Sequence, residues 1–119
     1  MSSVYSVEIV TATIAAGASL SAQVNIGDRT LCGIYIPSNW TTASLSFQAS
    51  PDGGATFGEL LDNAAAAIAV SSVAAEKFIA LDPTRLRCVN CIKVRSGTSG
   101  AAANQTNTVL VQLLTRYVA

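Results

Sequence analysis

Chemistry has to start from side chains that move protons, hold metals or attack carbon, and this sequence has few of them. Its 119 residues include no histidine. Ser-His-Asp and Cys-His nucleophiles and histidine metal triads are therefore excluded. Glu59, Asp62, Glu76 and Asp82 could supply paired carboxylates for glycosidase-type acid and base work. Three of these flank turns, where acids ordinarily cap backbone or meet solvent. Asp52, Glu59 and Asp62 could gather calcium by their oxygens, yet they lack the fixed ligand spacing of a calcium loop. Cys88 and Cys91 form a CxxC pair, but an extended strand would hold them about 10 Å apart on opposite faces, too far for a disulfide. Cys32 is the only other cysteine, so one chain cannot supply four zinc ligands. Buried structural thiols are the expectation. Gly97-Thr-Ser-Gly100 lacks the lysine and the following helix of a phosphate loop. No catalytic, cofactor or metal site is expected.

Recognition chemistry has one candidate. Trp40, with Tyr5, Tyr35 or Tyr117, could form an aromatic platform for a sugar, with Asn39 as a polar contact beside it. The competing reading has Trp40, in a loop next to a proline, plug the end of a β-sandwich, and we prefer it.

The elements that would position these residues follow from composition and periodicity. Half of the residues are hydrophobic and only 12% are charged, against about 25% in an average soluble domain. The polar surface must then come from Ser, Thr, Asn and Gln. Seven basic and seven acidic residues cancel, which removes the long-range attraction to phosphate that nucleic-acid and polybasic membrane binders use. A weakly charged surface protects a free monomer poorly, so part of it is expected to be covered by other chains. No secretory signal opens the sequence, and synthesis in a cytoplasm is expected. The apolar-rich stretch 63–75 is too short to span a membrane.

The chain reads as one domain over 1–119, with 1–10 as an N-terminal arm or edge strand. Tyr5, Val7 and Ile9 share one face of a strand over 4–13. Leu20, Val24 and Ile26 alternate with polar residues, and 30–36 is nearly continuous in apolar residues, as a covered central strand would be. Leu45 and Phe47 alternate with Ser44, Ser46 and Gln48. Residues 63–75 are ambiguous, since four consecutive alanines favour a helix while Ile68 and Val70 fit a strand; the strand is preferred. Further strands are expected at 76–81, at 91–95, where Ile92 and Val94 face inward and Lys93 and Arg95 face water, and at 108–118. Residues 96–107 read as a long polar loop. Eight or nine strands with regular turn signals make an all-β, antiparallel sandwich of jelly-roll type. Its expected core is Leu20, Val24, Ile34, Ile36, Leu45, Phe47, Phe57, Phe78, Ile92, Val94 and Val111.

Two resemblances add to this. Ser50, Asp52, Gly54, Thr56 and Phe57 fit the Ser-x-Asp-x-Gly-x-Thr-aromatic pattern of the Asp-box, known from sialidase-like propellers and other β-proteins. That resemblance implies an architectural hairpin, with the Asp tying the turn and the aromatic plugging the sheet. From Ile34 onward, Ile34-Tyr-Ile-Pro37 with Trp40, Leu45-Ser-Phe-Gln48, Ser50-Pro-Asp-Gly-Gly54, Phe78-Ile-Ala-Leu-Asp-Pro83 and Ile92-Lys-Val-Arg-Ser-Gly-Thr98 together resemble small structural proteins of tailed-bacteriophage virions. The alanine-rich 64–75 segment and Cys88 and Cys91 depart from that pattern. The resemblance implies a head decoration or cement protein on the capsid surface, made in the host cytoplasm, with the major capsid protein and copies of itself, commonly as a trimer, as partners. Candidate assembly contacts are Val4, Tyr5 and Val7 in the arm, Gly97, Thr98 and Asn104 in the polar loop, and Arg116 and Tyr117 at the C-terminus. The alternative is a receptor- or carbohydrate-binding module of a tail or head fibre, with Trp40 and Asn39 as the glycan contact.

Overall fold

The computed structural model describes residues 7–117. Val4, Tyr5 and the first part of the expected arm lie outside them. Within the described residues ten strands run in the order β1 (Glu8–Ile14), β2 (Val24–Asn25), β3 (Thr30–Tyr35), β4 (Ala43–Ala49), β5 (Gly58–Glu59), β6 (Val70–Val73), β7 (Phe78–Ala80), β8 (Cys91–Thr98), β9 (Ala101–Ala102) and β10 (Val109–Arg116). A 3₁₀ turn covers Pro83–Leu86.

The topology follows from folding the chain into one long ribbon and wrapping it. β1 pairs with β10, β2 with β8, β3 with β7 and β4 with β6, all antiparallel, so the chain doubles back between β4 and β6. Successive stretches of the ribbon alternate between layers. Pairing of β10 with β3 and of β8 with β4 then closes two sheets, β1-β10-β3-β7 and β2-β8-β4, with β5 and β6 sharing the outer edge of β4. This is the jelly-roll antiparallel sandwich that the strand pattern predicted.

The core lies between the sheets. Ala12 and Ile14 of β1, Leu31 and Ile34 of β3, Leu45 and Phe47 of β4, Ile92 and Val94 of β8, and Val111 and Leu113 of β10 are buried. Each full burial of a large side chain contributes about 1.5–3 kcal/mol. Three expected core residues are not there. Leu20 is half-buried, because the alternation of 20–26 yields only β2 and a single bridge from Leu20 to Arg95. Phe57 is half-buried under the Lys93 ammonium, 4.4 Å from its ring centre, and does not plug the sheet. Phe78 is 61% exposed. Residues 78–81 are apolar at both parities, so the pattern left register open. Pairing of Ile79 with Ile34 turns Phe78 outward.

Two segments differ from expectation in kind. Of 63–75 only Val70–Val73 is strand; Asp62 accepts from the Ala64 and Ala66 amides, and Ala65 has φ 62, so the alanines form a turn. Cys88 is exposed in the connection after the 3₁₀ turn, whereas Cys91 is buried and Cys32 half-buried.

Candidate assembly surface

The two sheets present unlike outer faces. In a strand alternate side chains leave on opposite sides, and the register aligns the outward ones into rows. On the sheet β1-β10-β3-β7 one row runs Ile9, Leu114, Gly33, Ala80, the next Thr11, Gln112, Tyr35, Phe78, and a third pairs Thr13 with Leu110. No residue in these rows is charged. Ile9 is 56%, Leu110 52% and Phe78 61% exposed. Gly33 makes the Phe78 position possible: a Cβ there would stand 3.1 Å from Phe78 Cε1 and 3.2 Å from Cζ, so the ring reaches over the glycine. Four strands at ~4.8 Å and five residues at ~3.3 Å give a face of about 300 Å² in projection, in which Ile9, Leu110, Leu114, Tyr35 and Phe78 are the large apolar members and Thr11, Thr13 and Gln112 the polar ones.

The other outer face is polar and internally bonded. Arg95, expected to face water, is 6% exposed. Its Nε donates to Ser46 Oγ at 3.0 Å and Nη1 donates to Glu59 Oε2 at 2.9 Å, while Nη2 donates to Glu59 Oε1. Gln48 Nε2 also donates to Glu59 Oε2, at 3.1 Å. The Arg95 hydrogen bonds hold the Glu59 carboxyl below its usual range, and Glu59 in turn raises the Arg95 guanidinium. The clasp forms because β4 pairs with both β8 and β5, setting Ser46 beside Arg95 and Gln48 beside Glu59.

The hairpin between β4 and β5 is tied as the Asp-box pattern implied. Ser50 Oγ donates to Asp52 Oδ1 at 2.8 Å and accepts from the Gly54 amide at 2.8 Å. Asp52 accepts from the Thr56 amide at 2.9 Å and from the Thr56 hydroxyl at 2.8 Å. These donors, the Thr56 amide foremost, push the Asp52 carboxyl down to about 2.

The remaining candidates separate to two ends of the sandwich. Val7, Arg116 and Tyr117 lie where β1 begins and β10 ends, with the Tyr117 ring 4.4 Å from the Arg29 guanidinium and Glu8 paired to Arg29 at 2.9 Å. Thr98, Asn104 and Asn39 lie toward the opposite end, where Asn39 Nδ2 donates to the Thr108 carbonyl at 2.9 Å. The eight residues of β10 span about 25 Å. Gly97 is not a surface contact: it is buried at φ 93, and a Cβ would sit 2.5 Å from the Ala101 carbonyl oxygen. The expected loop 96–107 is shorter than it read, since β8 continues to Thr98 and turns into β9.

One residue in that segment escaped the sequence reading. Gln105 is 1% exposed. Its Oε1 accepts from the Thr41 amide at 2.7 Å, and its Nε2 donates to the Thr41 carbonyl at 2.9 Å and to Ser96 Oγ at 2.8 Å. Its main chain bonds Ala18 and Gly17. It thus bolts three loops and β8 together. Nothing local marks it, because these partners are distant in sequence.

Trp40 is 5% exposed, and its Nε1 donates to the Val73 carbonyl at 3.0 Å. It caps the core, as the preferred reading held, and offers no open ring face to a sugar. Of the carboxylates, Glu59 serves the Arg95 clasp, Asp62 caps the alanine turn and Asp82 caps the 3₁₀ turn through the Thr84 amide. An open pocket of about 510 Å³ is lined by Leu61, Asp62, Asn63, Ile68 and Arg85, with Asp62 and Arg85 facing each other at 3.7 Å. Among the described residues no group of three or more His, Cys, Asp or Glu is placed to hold a metal, and no helix is long and apolar enough to cross a membrane. Protein-family models, curated proteins and solved structures were all compared with this chain, and none matches it.

Proposed function

We propose that this chain is a non-enzymatic structural protein of a bacteriophage virion, a capsid decoration or cement protein. It would be made in the host cytoplasm, carried on the capsid surface, and act by bridging subunits of the major capsid protein. The observation that carries the reading is the three uncharged outward rows of β1-β10-β3-β7, bordered by Arg116 at the end of β10, with Ile9, Leu110 and Phe78 bare to solvent. A free domain gains nothing from that exposure, whereas a protein that works by covering seams gains from each copy bound, and many copies multiply a modest contact energy. The resemblance through the 34–37, 50–54, 78–83 and 92–98 motifs supports the same reading. So does the stiff hairpin, since a cement protein needs shape and no turnover.

Binding to particles that lack the protein is the test. Wild-type protein is expected to saturate the shell and raise its melting temperature. Phe78→Ser removes the most exposed aromatic of the face without opening the core, and is expected to weaken shell binding at least tenfold while the free protein melts as before. Wild-type protein that ignores the shell, or Phe78→Ser that binds as well as wild type, would overturn the proposal.

A further inference from the structure

A sheet edge is a row of unpaired amides and carbonyls, and proteins usually protect it by shortness, charge, proline or a kink. Most edges of this sandwich are protected in those ways. β7 has three residues and follows Glu76 and Lys77; β2 has two and runs into Gly27 and Asp28; β5 has two and carries Glu59; β6 is bent at Ser72, whose φ is 51. β1 differs. It runs seven residues, Glu-Ile-Val-Thr-Ala-Thr-Ile, pairs with β10 without a register shift, and among the described residues has no strand on its other side. Its single charge is at the first position, and it holds neither proline nor glycine.

We infer that β1 is the seam of a two-fold dimer, pairing antiparallel with β1 of a second copy about Thr11. The strand is complementary to itself in that register. Glu8 meets Ile14 of the second copy, Ile9 meets Thr13, Val10 meets Ala12 and Thr11 meets Thr11, so all seven residues pair and no like charges oppose. Outward side chains meet outward ones, since the period of two is kept across the seam. Threonine beside threonine is a favourable cross-strand pair. Among the described residues no other edge is long and bare enough to receive β1 head to tail, so the contact closes on itself as a dimer. The joined sheet has eight strands, and its uncharged outward rows become one surface of twice the size, with the threonines of β1 along its middle. The threefold arrangement implied by the phage resemblance is not what this edge makes.

Sedimentation equilibrium of the full chain over a dilution series tests the seam without any particle, so its outcome is separate from that of the shell-binding reading. Wild-type protein is expected at twice 12.2 kDa, dissociating on dilution. Thr11 is exposed, so Thr11→Glu and Thr11→Lys are expected to keep the wild-type circular dichroism spectrum. Each alone would be monomeric, because its charges meet on the axis, and an equimolar mixture of the two would recover the dimer mass. Amide exchange along β1 of wild-type protein is expected to quicken on dilution. A wild-type mass of one or three chains, charged variants that pair alone, a mixture that stays monomeric, or exchange independent of concentration would each overturn the inference.

Discussion

Replacing Gln105 by alanine should be the costliest single polar deletion in this fold. Three hydrogen bonds of 2.7–2.9 Å end on the Gln105 side-chain amide. Its removal strands the Ser96 hydroxyl, which is fully buried, and the Thr41 amide and carbonyl, which are partly buried. A buried group left without a partner costs ~1–3 kcal/mol, and a partly exposed one recovers some of that from water. Taking most of one such penalty for Ser96 and a fraction for each Thr41 group gives ~3 kcal/mol. For a domain of this size each kcal/mol shifts the melting temperature by ~4 °C, so Gln105→Ala is expected to melt ~12 °C below wild type by calorimetry. The urea midpoint should fall with an unchanged slope. Gln105→Glu separates hydrogen bonding from packing. At neutral pH its carboxylate still accepts from the Thr41 amide but faces the Thr41 carbonyl without a proton to offer, so it too should be destabilised. Protonation restores a donor. That carboxyl is therefore held above its unfolded value, its contribution is fully present below about pH 4, and it is lost as pH rises through the folded value. A loss below ~3 °C for Gln105→Ala, or Gln105→Glu matching wild type at neutral pH, would refute the bolt.

Other perturbations read the remaining parts. Asp52 titrates at about 2 in the fold against 3.8 in its unperturbed state, so it stabilises above 3.8 and loses that contribution as pH falls toward 2; thermal melts should show this acid-sensitive step in wild type and lack it in Asp52→Asn. Glu59→Gln leaves the buried Arg95 without its carboxylate and is expected to cost ~1–2 kcal/mol, discounted because Glu59 is partly exposed. Arg95→Met in the Glu59→Gln background should recover most of that by urea unfolding. Gly97→Ala forces a Cβ against backbone at φ 93, and is expected to cost more than ~2 kcal/mol in the same assay. Trp40→Phe keeps an aromatic side chain but loses the second ring of the indole and its hydrogen bond to the Val73 carbonyl, and should cost at least ~1–3 kcal/mol.

What the sequence determined by itself was whatever closes over a short span. Alternation in 43–49 and 109–116 marks strands because the period of two is a property of the backbone. The Ser50–Thr56 turn is legible because its side-chain bonds reach at most four residues along the chain. The absence of histidine excluded whole classes of chemistry before any fold was known. The tertiary structure decided what depends on distant partners. Arg95 reads as a solvent-facing strand residue until β4 and β5 bring Ser46 and Glu59 to it, 49 and 36 residues away. Gln105 reads as loop until Thr41, 64 residues earlier, closes on its amide. Phe78 and Ile79 were equivalent by pattern, and pairing with β3 alone chose which one is bare. Which strand is left as a long open edge is likewise settled only when every other strand has found its neighbours. A sequence encodes local conformational preference directly, but burial and edges are properties of the finished arrangement, set where segments far apart in the chain meet.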